Sequence, residues 1–357
     1  MNTPHFTKIH NRFKLNGYNF TGVELKDIGY DFIKEGVPYE NALGRFIMDW
    51  MDKEDYINVK TSGSTGDPKM IKISKQAMVS SAIRTGDFFD VQIGDTALHC
   101  LPADFIAGKM MLIRAMILGL SLDLVQPTAD PMRDLYKSYD FVAMTPMQAR
   151  NSLERLNQIK TLIIGGAPIG PDLHERLVAL HDNCHETYGM TETITHIAAS
   201  KLSIPKKPFQ TLDGIYLKTD QEGCLVVDAP NITDQLIHTN DLVDIHDDNT
   251  FTYMGRRDNV INSGGVKISP EVTEQKLAHQ IKHPFFLYGI SDEVLGQKLV
   301  MIVEGDQEQT TEIEKQIANC STLEKYELPK SIYFIPEIIK NNGKYLRNKT
   351  VEANQIG

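Results

Sequence analysis

The sequence predicts an α/β protein: a large N-terminal domain of parallel sheets with covering helices and a small antiparallel β subdomain, followed by a small α+β C-terminal domain. Three observations predict it. Between residues 96 and 181 short apolar strands alternate with helical patterns, the rhythm of a parallel sheet covered on both faces. From about 213 to 254 the pattern changes to short strands parted by Asp, Gly and Asn turns, which is antiparallel. After a Gly-rich junction the rest of the chain mixes helices and strands. The expected division is 1–257 and 258–357.

Before residue 55 the pattern is helical, as in Asn41-Ala-Leu-Gly-Arg-Phe-Ile-Met-Asp-Trp-Met51, with apolar residues at helix spacing. Strands 56–60 and 69–73 flank a hydroxyl- and glycine-rich loop. Ser74 can cap a helix running to Phe89, whose face is Ala77, Met78, Ser81 and Ala82. There follow strand 96–101, helix 106–119, strands 121–125 and 141–144, helix 146–156, strand 161–164 and helix 171–181. In the C-terminal part we expect helix 270–280, strands 284–288 and 298–303, helix 311–319 and strand 331–335. Ligands on parallel sheets sit beyond the carboxyl ends of the strands.

The chain has 357 residues, 41% hydrophobic and 24% charged, ordinary for a globular protein with a large core. No apolar run approaches the roughly 18 residues of a membrane span, and the first residues lack the basic-then-apolar order of a signal peptide. A cytoplasmic protein is expected. Cys100, Cys184, Cys224 and Cys320 are far apart without a CxxC pair, so buried free thiols are expected rather than disulfides or zinc. A net charge of −10 argues against nucleic acid as a partner; self-association is compatible with the sequence. His181 and His185 are four apart with a helix end between them and are read as structural.

The loop Thr61-Ser-Gly-Ser-Thr-Gly-Asp-Pro-Lys69 suits a polyphosphate. Gly63, Gly66 and Pro68 forbid regular structure and leave backbone N–H groups free to face an anion. The hydroxyls of Thr61, Ser62, Ser64 and Thr65 can surround phosphate oxygens, and Lys69 adds a cation. The spacing is not that of a Walker loop, since Met70 follows the lysine. A flexible surface loop has the same composition; a tight loop between two strands favours function.

Four further stretches carry chemistry. Gly165-Gly-Ala-Pro168 follows a strand and lets a flat ring approach the backbone, although an ordinary turn explains the glycines equally well. In Glu186-Thr-Tyr-Gly-Met-Thr-Glu192, Tyr188 offers an aromatic face, Thr191 a hydroxyl and Glu192 a hard carboxylate oxygen suited to magnesium; a helix start capped by Thr191 is the plain alternative. His238-Thr-Asn-Asp241 presents a carboxylate in a turn-prone stretch. Gly255-Arg-Arg-Asp-Asn-Val-Ile-Asn-Ser-Gly-Gly-Val-Lys-Ile-Ser-Pro-Glu271 reads locally as a Gly-Gly hairpin and a helix capped at Ser269. Near the end, Gly343-Lys344 lies in Pro336-Glu-Ile-Ile-Lys-Asn-Asn-Gly-Lys344.

With the 61–69 loop, in this order, these stretches resemble the adenylate-forming superfamily of acyl-CoA synthetases and AMP-binding enzymes. The resemblance implies an acyl-adenylate mechanism using ATP, Mg2+ and CoA. It assigns ATP/AMP binding to Thr61, Ser62, Gly63, Ser64, Thr65, Lys69, Gly165, Gly166, Ala167, Pro168, Tyr188, Gly189, Asp241 and Arg256. Thr191 and Glu192 act at the phosphates, with Glu192 as the Mg2+ ligand, and Lys344 is the catalytic lysine. It makes Asp258 the hinge of a mobile C-terminal domain and Gly264 and Gly265 the edge of the CoA passage. Asn240 stands where the family has glycine; the key carboxylate is left in place, since asparagine also tolerates a left-handed backbone. The part before the phosphate loop is shorter than in the family.

The acid pocket implied by the resemblance involves Phe105, Ala107, Gly108, Lys109, Thr145 and Thr193, with Lys109 or Arg114 as the cation for a second carboxylate. These segments, and the short chain, are most similar to the o-succinylbenzoate–CoA ligase family of menaquinone biosynthesis, although relatives carry a histidine where this chain has Asp104-Phe105. Other acyl or aryl acid–CoA ligases, a carrier-protein ligase and a silent nucleotide-binding protein are the alternatives.

Overall fold

The structure, a computed structural model, describes residues 3–60, 69–341 and 343–357. The chain forms two compact units, one of residues 1–166, 177–216 and 227–237, the other of 167–176, 217–226 and 238–357.

The first unit opens with the short strands β1 (Lys14–Leu15) and β2 (Tyr18–Asn19) and the helices α1 (Gly22–Lys34) and α2 (Pro38–Trp50). Thr21 and Glu24 cap each other's backbone N–H groups at the start of α1. Next come the hairpin β3 (Tyr56–Lys60) and β4 (Met70–Ser74), and α3 (Lys75–Phe88), capped by the Ser74 hydroxyl. Then β5 (Thr96–His99), α4 (Ile106–Leu118), β6 (Ser121–Leu124), β7 (Tyr139–Met144), α5 (Pro146–Asn151), β8 (Ile159–Ile164) and α6 (Pro171–Leu180) follow. The last strands are β9 (Cys184–Gly189), β10 (His196–Lys201) and β11 (Phe209–Thr211).

In space the order is β11-β10-β9-β8-β7-β5-β6-β1-β2. From β9 to β1 every pairing is parallel; β10, β11 and β2 add antiparallel edges. The expected parallel sheet is therefore present. Helix α4 carries Met110, Met111, Leu112, Ile113, Ala115 and Met116 with essentially no exposed surface, because a helix apolar all round must be buried. Gly119 closes it in the left-handed conformation, φ 76°. All four cysteines are buried free thiols.

The expected helix 146–156 breaks after Asn151, and residues 153–158 tighten into a 3-10 turn. Asn151 Nδ2 donates to the Ala129 carbonyl and the Ser152 hydroxyl to Asp130, and these tertiary bonds win over helix propagation.

The second unit carries β12 (Tyr216–Thr219), β13 (Cys224–Asp228), β14 (Ile237–Asp247) and β15 (Thr250–Arg256) as successive neighbours, matching the short-strand reading of 213–254. After them come β16 (Ile261–Ser263), β17 (Val266–Ile268), α7 (Pro270–Leu277), β18 (Phe285–Asp292), β19 (Gly296–Glu304), α8 (Thr310–Ala318) and β20 (Ser331–Ile335). The chain finishes with β21 (Lys340–Asn341), β22 (Lys344–Tyr345) and α9 (Arg347–Ala353). The small sheet runs β17-β16-β19-β18, with β20 parallel to β19. Its period-2 alternation fills two cores: Leu287, Met301 and Val303 with Leu277 and Ile313 on one face, Phe286 and Ile302 with Ile335, Ile338 and Val351 on the other.

Position 257/258 falls inside this second unit, in the short 3-10 turn Arg257–Asn259 between β15 and β16. Ser269 does not cap α7 with its side chain; its hydroxyl instead donates to the Met254 carbonyl at 2.5 Å. Among the described residues no helix is long and apolar enough to cross a membrane.

Candidate active site

In the first unit the strand pair Lys60↔Met70 closes the base of the phosphate-type loop. Thr61, Ser62, Gly63, Ser64 and Thr65 lie outside the described residues; Lys69 is exposed, directly before β4. Gly165 and Gly166 follow the carboxyl end of β8, where a parallel sheet presents ligands. A Cβ on Gly165 would fall 2.4 Å from Thr187 Oγ1, whose hydroxyl donates to the Ile164 carbonyl, so the close approach of β9 requires glycine there. Gly166 has φ 88° with nothing within 4 Å of its side-chain position.

Tyr188, half-buried on β9, tilts against Phe209 with ring centres 5.9 Å apart. Thr191 and Glu192 stand in a turn rather than at a helix start, and the Glu192 carboxylate is exposed. Thr193 is buried and its hydroxyl is committed to that turn, accepting from Met190 N–H at 2.9 Å and facing the Met190 and Thr195 carbonyls. Ile194, a β-branched residue, is held at φ 67°, strain of the kind found at functional turns. Gly189, paired with His196, is required because a Cβ would meet the Thr195 carbonyl at 2.3 Å.

The residues expected at an acid pocket fall into distinct structural settings. Phe105 precedes α4 and is 45% exposed, with Ala107 exposed beside it. Gly108 packs so tightly that a Cβ would lie 2.2 Å from the Pro102 carbonyl, and its own carbonyl faces His99 Nε2 at 3.0 Å. Thr145 caps α5, accepting from Gln148 N–H. Lys109 donates to the Ala103 carbonyl and lies 5.1 Å from the centre of the Phe46 ring. Burial lowers its pKa against the opposing pull of Asp104 and Asp49.

Arg114 is different. It is buried, burial alone depresses its pKa to about 9, and its Nε makes no hydrogen bond among the described residues. Its Nη2 donates to Thr195 Oγ1 at 3.1 Å. Beside it, His196 is held neutral: burial and the Arg114 charge push its pKa well below the usual value, and Nε2 lies 3.2 Å from Thr85 Oγ1. Motif reading did not single out Thr85, whereas Thr195 and His196 lie in the stretch Thr193-Ile-Thr-His-Ile197, which the resemblance counts as pocket wall. The available signal was a Thr-His pair entering an otherwise apolar strand.

The second unit gathers its own site residues. Asp241 is buried on β14 opposite Arg256 on β15, with Arg256 Nη1 3.6 Å from its Oδ1. Arg256 Nη2 also reaches Asp258 at 3.0 Å. Burial works against this guanidinium, but its hydrogen bond to Asp258 and the Asp241 charge outweigh that and raise its pKa. Asn240 takes no left-handed backbone; it continues β14 and donates to Asp258 Oδ2 at 3.0 Å. Gly264 and Gly265, at φ 60° and 84°, make the turn between β16 and β17. Lys344 is exposed on β22, after Gly343, whose side-chain position lies 3.7 Å from Ala167 Cβ. Ala167 and Gly343 thus lie close together within the second unit, with Pro168 exposed next to Ala167.

The AMP-binding enzyme family matches residues 36–230, more than half of the chain. The chain belongs to that family. Among solved structures, an AMP-forming acyl-CoA synthetase/AMP-acid ligase II-like protein from Dyadobacter fermentans is 35% identical, over 88% of this chain and 94% of its own, with a TM-score of 0.59. A 2-succinylbenzoate–CoA ligase of Bacillus cytotoxicus is 29% identical over 329 residues, 81% of this chain and 68% of the relative. The fold is also that of an o-succinylbenzoate coenzyme A synthetase from Bacillus subtilis solved with ATP and magnesium, at TM-score 0.71 and 20% identity, over 85% of this chain and 74% of that one.

Proposed function

We propose that this AMP-binding enzyme is an acid–CoA ligase that converts o-succinylbenzoate, ATP and CoA into o-succinylbenzoyl-CoA, AMP and diphosphate. The observation that carries the choice of acid is Arg114. A buried guanidinium with no carboxylate beside it among the described residues and an unused Nε is costly unless a ligand supplies the anion. A diacid does so: one carboxylate is activated, and the other meets Arg114. Lys109 is the weaker candidate, since its ammonium is already on the Ala103 carbonyl. The names of several curated relatives support the same acid.

In the first step a substrate carboxylate attacks the α-phosphorus of ATP, diphosphate leaves and an acyl-adenylate forms; in the second the CoA thiolate displaces AMP. Negative charge builds on the phosphoryl group, so positioning and cations matter more than a protein nucleophile. In this reading the 61–69 loop holds the phosphates and Tyr188 with the Gly165–Pro168 loop holds the adenine. Asp241 accepts the ribose hydroxyls, Arg256 orients it, and Lys344 supplies charge during adenylation. The exposed Glu192 carboxylate is the hard oxygen donor that Mg2+ takes together with phosphates. When bound, the ion offsets phosphate charge. A swing of residues 258–357 about Asp258 would then exchange Lys344 for the Gly264-Gly265 turn, along which CoA enters.

ATP–pyrophosphate exchange across a panel of acids tests the assignment. Exchange with o-succinylbenzoate well above monocarboxylic aryl acids supports it; exchange only with a monoacid would replace the substrate.

A further inference from the structure

We propose that Glu271 is a positioning residue for adenylation, seated on the bare backbone of Gly255 and holding the Lys344 segment in register with the Arg256–Asp241 pair. The proposal rests on the ligase reading and adds to it the strut on which Lys344 depends.

Gly255 is the penultimate residue of β15, buried, at φ 114°, a conformation that side-chain-bearing residues rarely adopt. A Cβ there would fall 2.5 Å from Glu271 Oε2 and 2.6 Å from Ser269 Oγ. Glycine is thus demanded twice, by backbone shape and by the carboxylate pressed against it. Ser269 fixes the same contact through its hydrogen bond to the Met254 carbonyl.

Glu271 Oε2 is buried and accepts no hydrogen bond among the described residues. For stability alone, an apolar residue would fill this place at lower cost. The second oxygen explains the carboxylate: Oε1 accepts from Asn259 Nδ2 at 2.5 Å and faces Arg347 Nη2 at 3.5 Å. Arg347 in turn grips Glu274 with both Nη atoms and donates to the Leu287 carbonyl at 2.8 Å. It stands three residues after Lys344, at the start of α9.

A continuous strut results. The Lys344 strand is tied through Arg347 to Glu271, Glu271 to the Gly255 backbone, and the next residue, Arg256, to Asp241 and Asp258. Asn259, adjacent to Asp258, donates into the same carboxylate, so a backbone rotation at Asp258 pulls directly on the strut. Loss of the seat should slow the half-reaction that uses Lys344 and spare the one that does not.

The experiment compares wild type, Gly255→Ala, Glu271→Ala and the double variant. Three readouts are followed: ATP–pyrophosphate exchange, thioester formation from supplied acyl-adenylate and CoA, and amide hydrogen exchange of residues 256–274. Gly255→Ala should slow pyrophosphate exchange about tenfold or more while changing thioester formation less than about twofold. The losses in pyrophosphate exchange should not add in the double variant, because both substitutions break the same seat. Equal loss in both half-reactions, or losses that add fully in the double variant, overturns the proposal. If Gly255→Ala does not fold, Glu271→Ala decides by the same split between half-reactions. If wild type activates no acid at all, the ligase reading fails separately. Faster amide exchange in either variant than in wild type would still support the seat, and unchanged exchange would refute it.

Discussion

Replacing Arg114 by Met removes one charge and keeps most of the side-chain volume, and its consequence can be worked from the surroundings. The fall of the guanidinium pKa from 12.5 to about 9 by burial corresponds to roughly 5 kcal/mol of unfavourable desolvation. Arg114→Met should therefore leave stability unchanged or raise it, despite losing the bond to Thr195. For the diacid the balance reverses. One charge-assisted pair with a substrate carboxylate contributes about 2 to 4 kcal/mol, or a loss of about 30- to 1,000-fold in kcat/KM when removed. A matched acid lacking the second carboxylate should change less than about threefold. Since only the charged guanidinium serves, wild-type kcat/KM for the diacid should also fall as pH rises through about 9. Equal losses for the two acids, or a large drop in melting temperature, would refute this placement of the substrate.

Lys344→Ala should abolish adenylate formation while thioester formation from supplied adenylate continues; parallel loss of both would remove Lys344 from its assigned step. His99, buried, has its pKa lowered to about 4 by desolvation. A base depressed in the folded state leaves the unfolded chain binding more protons between pH 4 and 6.5, so stability declines as pH falls through that window, by roughly 3 kcal/mol in full. Urea titrations should show this, and His99→Gln should flatten the slope while keeping a donor for the Gly108 carbonyl. Gly108→Ala sets a methyl 2.2 Å from the Pro102 carbonyl and should cost about 2 kcal/mol or more, read as a lower urea midpoint.

What could be read from the sequence was what depends on near neighbours. The Ser74 cap, the hairpin turn at Gly264-Gly265 and the alternation of apolar strands all follow from local chemistry, and all are present. Local reading failed where a distant group competed. Ser269 gives its hydroxyl to Met254 instead of to α7, Ser152 turns to Asp130, and Asn240 stays in the strand because Asp258 accepts its amide. The Arg114–Thr195–His196 cluster joins α4 to β10 across some 80 residues of chain, a relation no spacing rule contains. Gly255 was read as the first letter of a motif; that it serves as a seat for Glu271 emerges only from packing.

The central claim, acid activation through an acyl-adenylate followed by transfer to CoA, is tested most directly by mass spectrometry of the protein mixed with ATP, Mg2+ and o-succinylbenzoate. Without CoA, o-succinylbenzoyl-AMP and diphosphate should form; on adding CoA, the adenylate should give way to the CoA thioester and AMP. Formation of ADP, or the absence of any adenylate with this or related acids, would contradict the account.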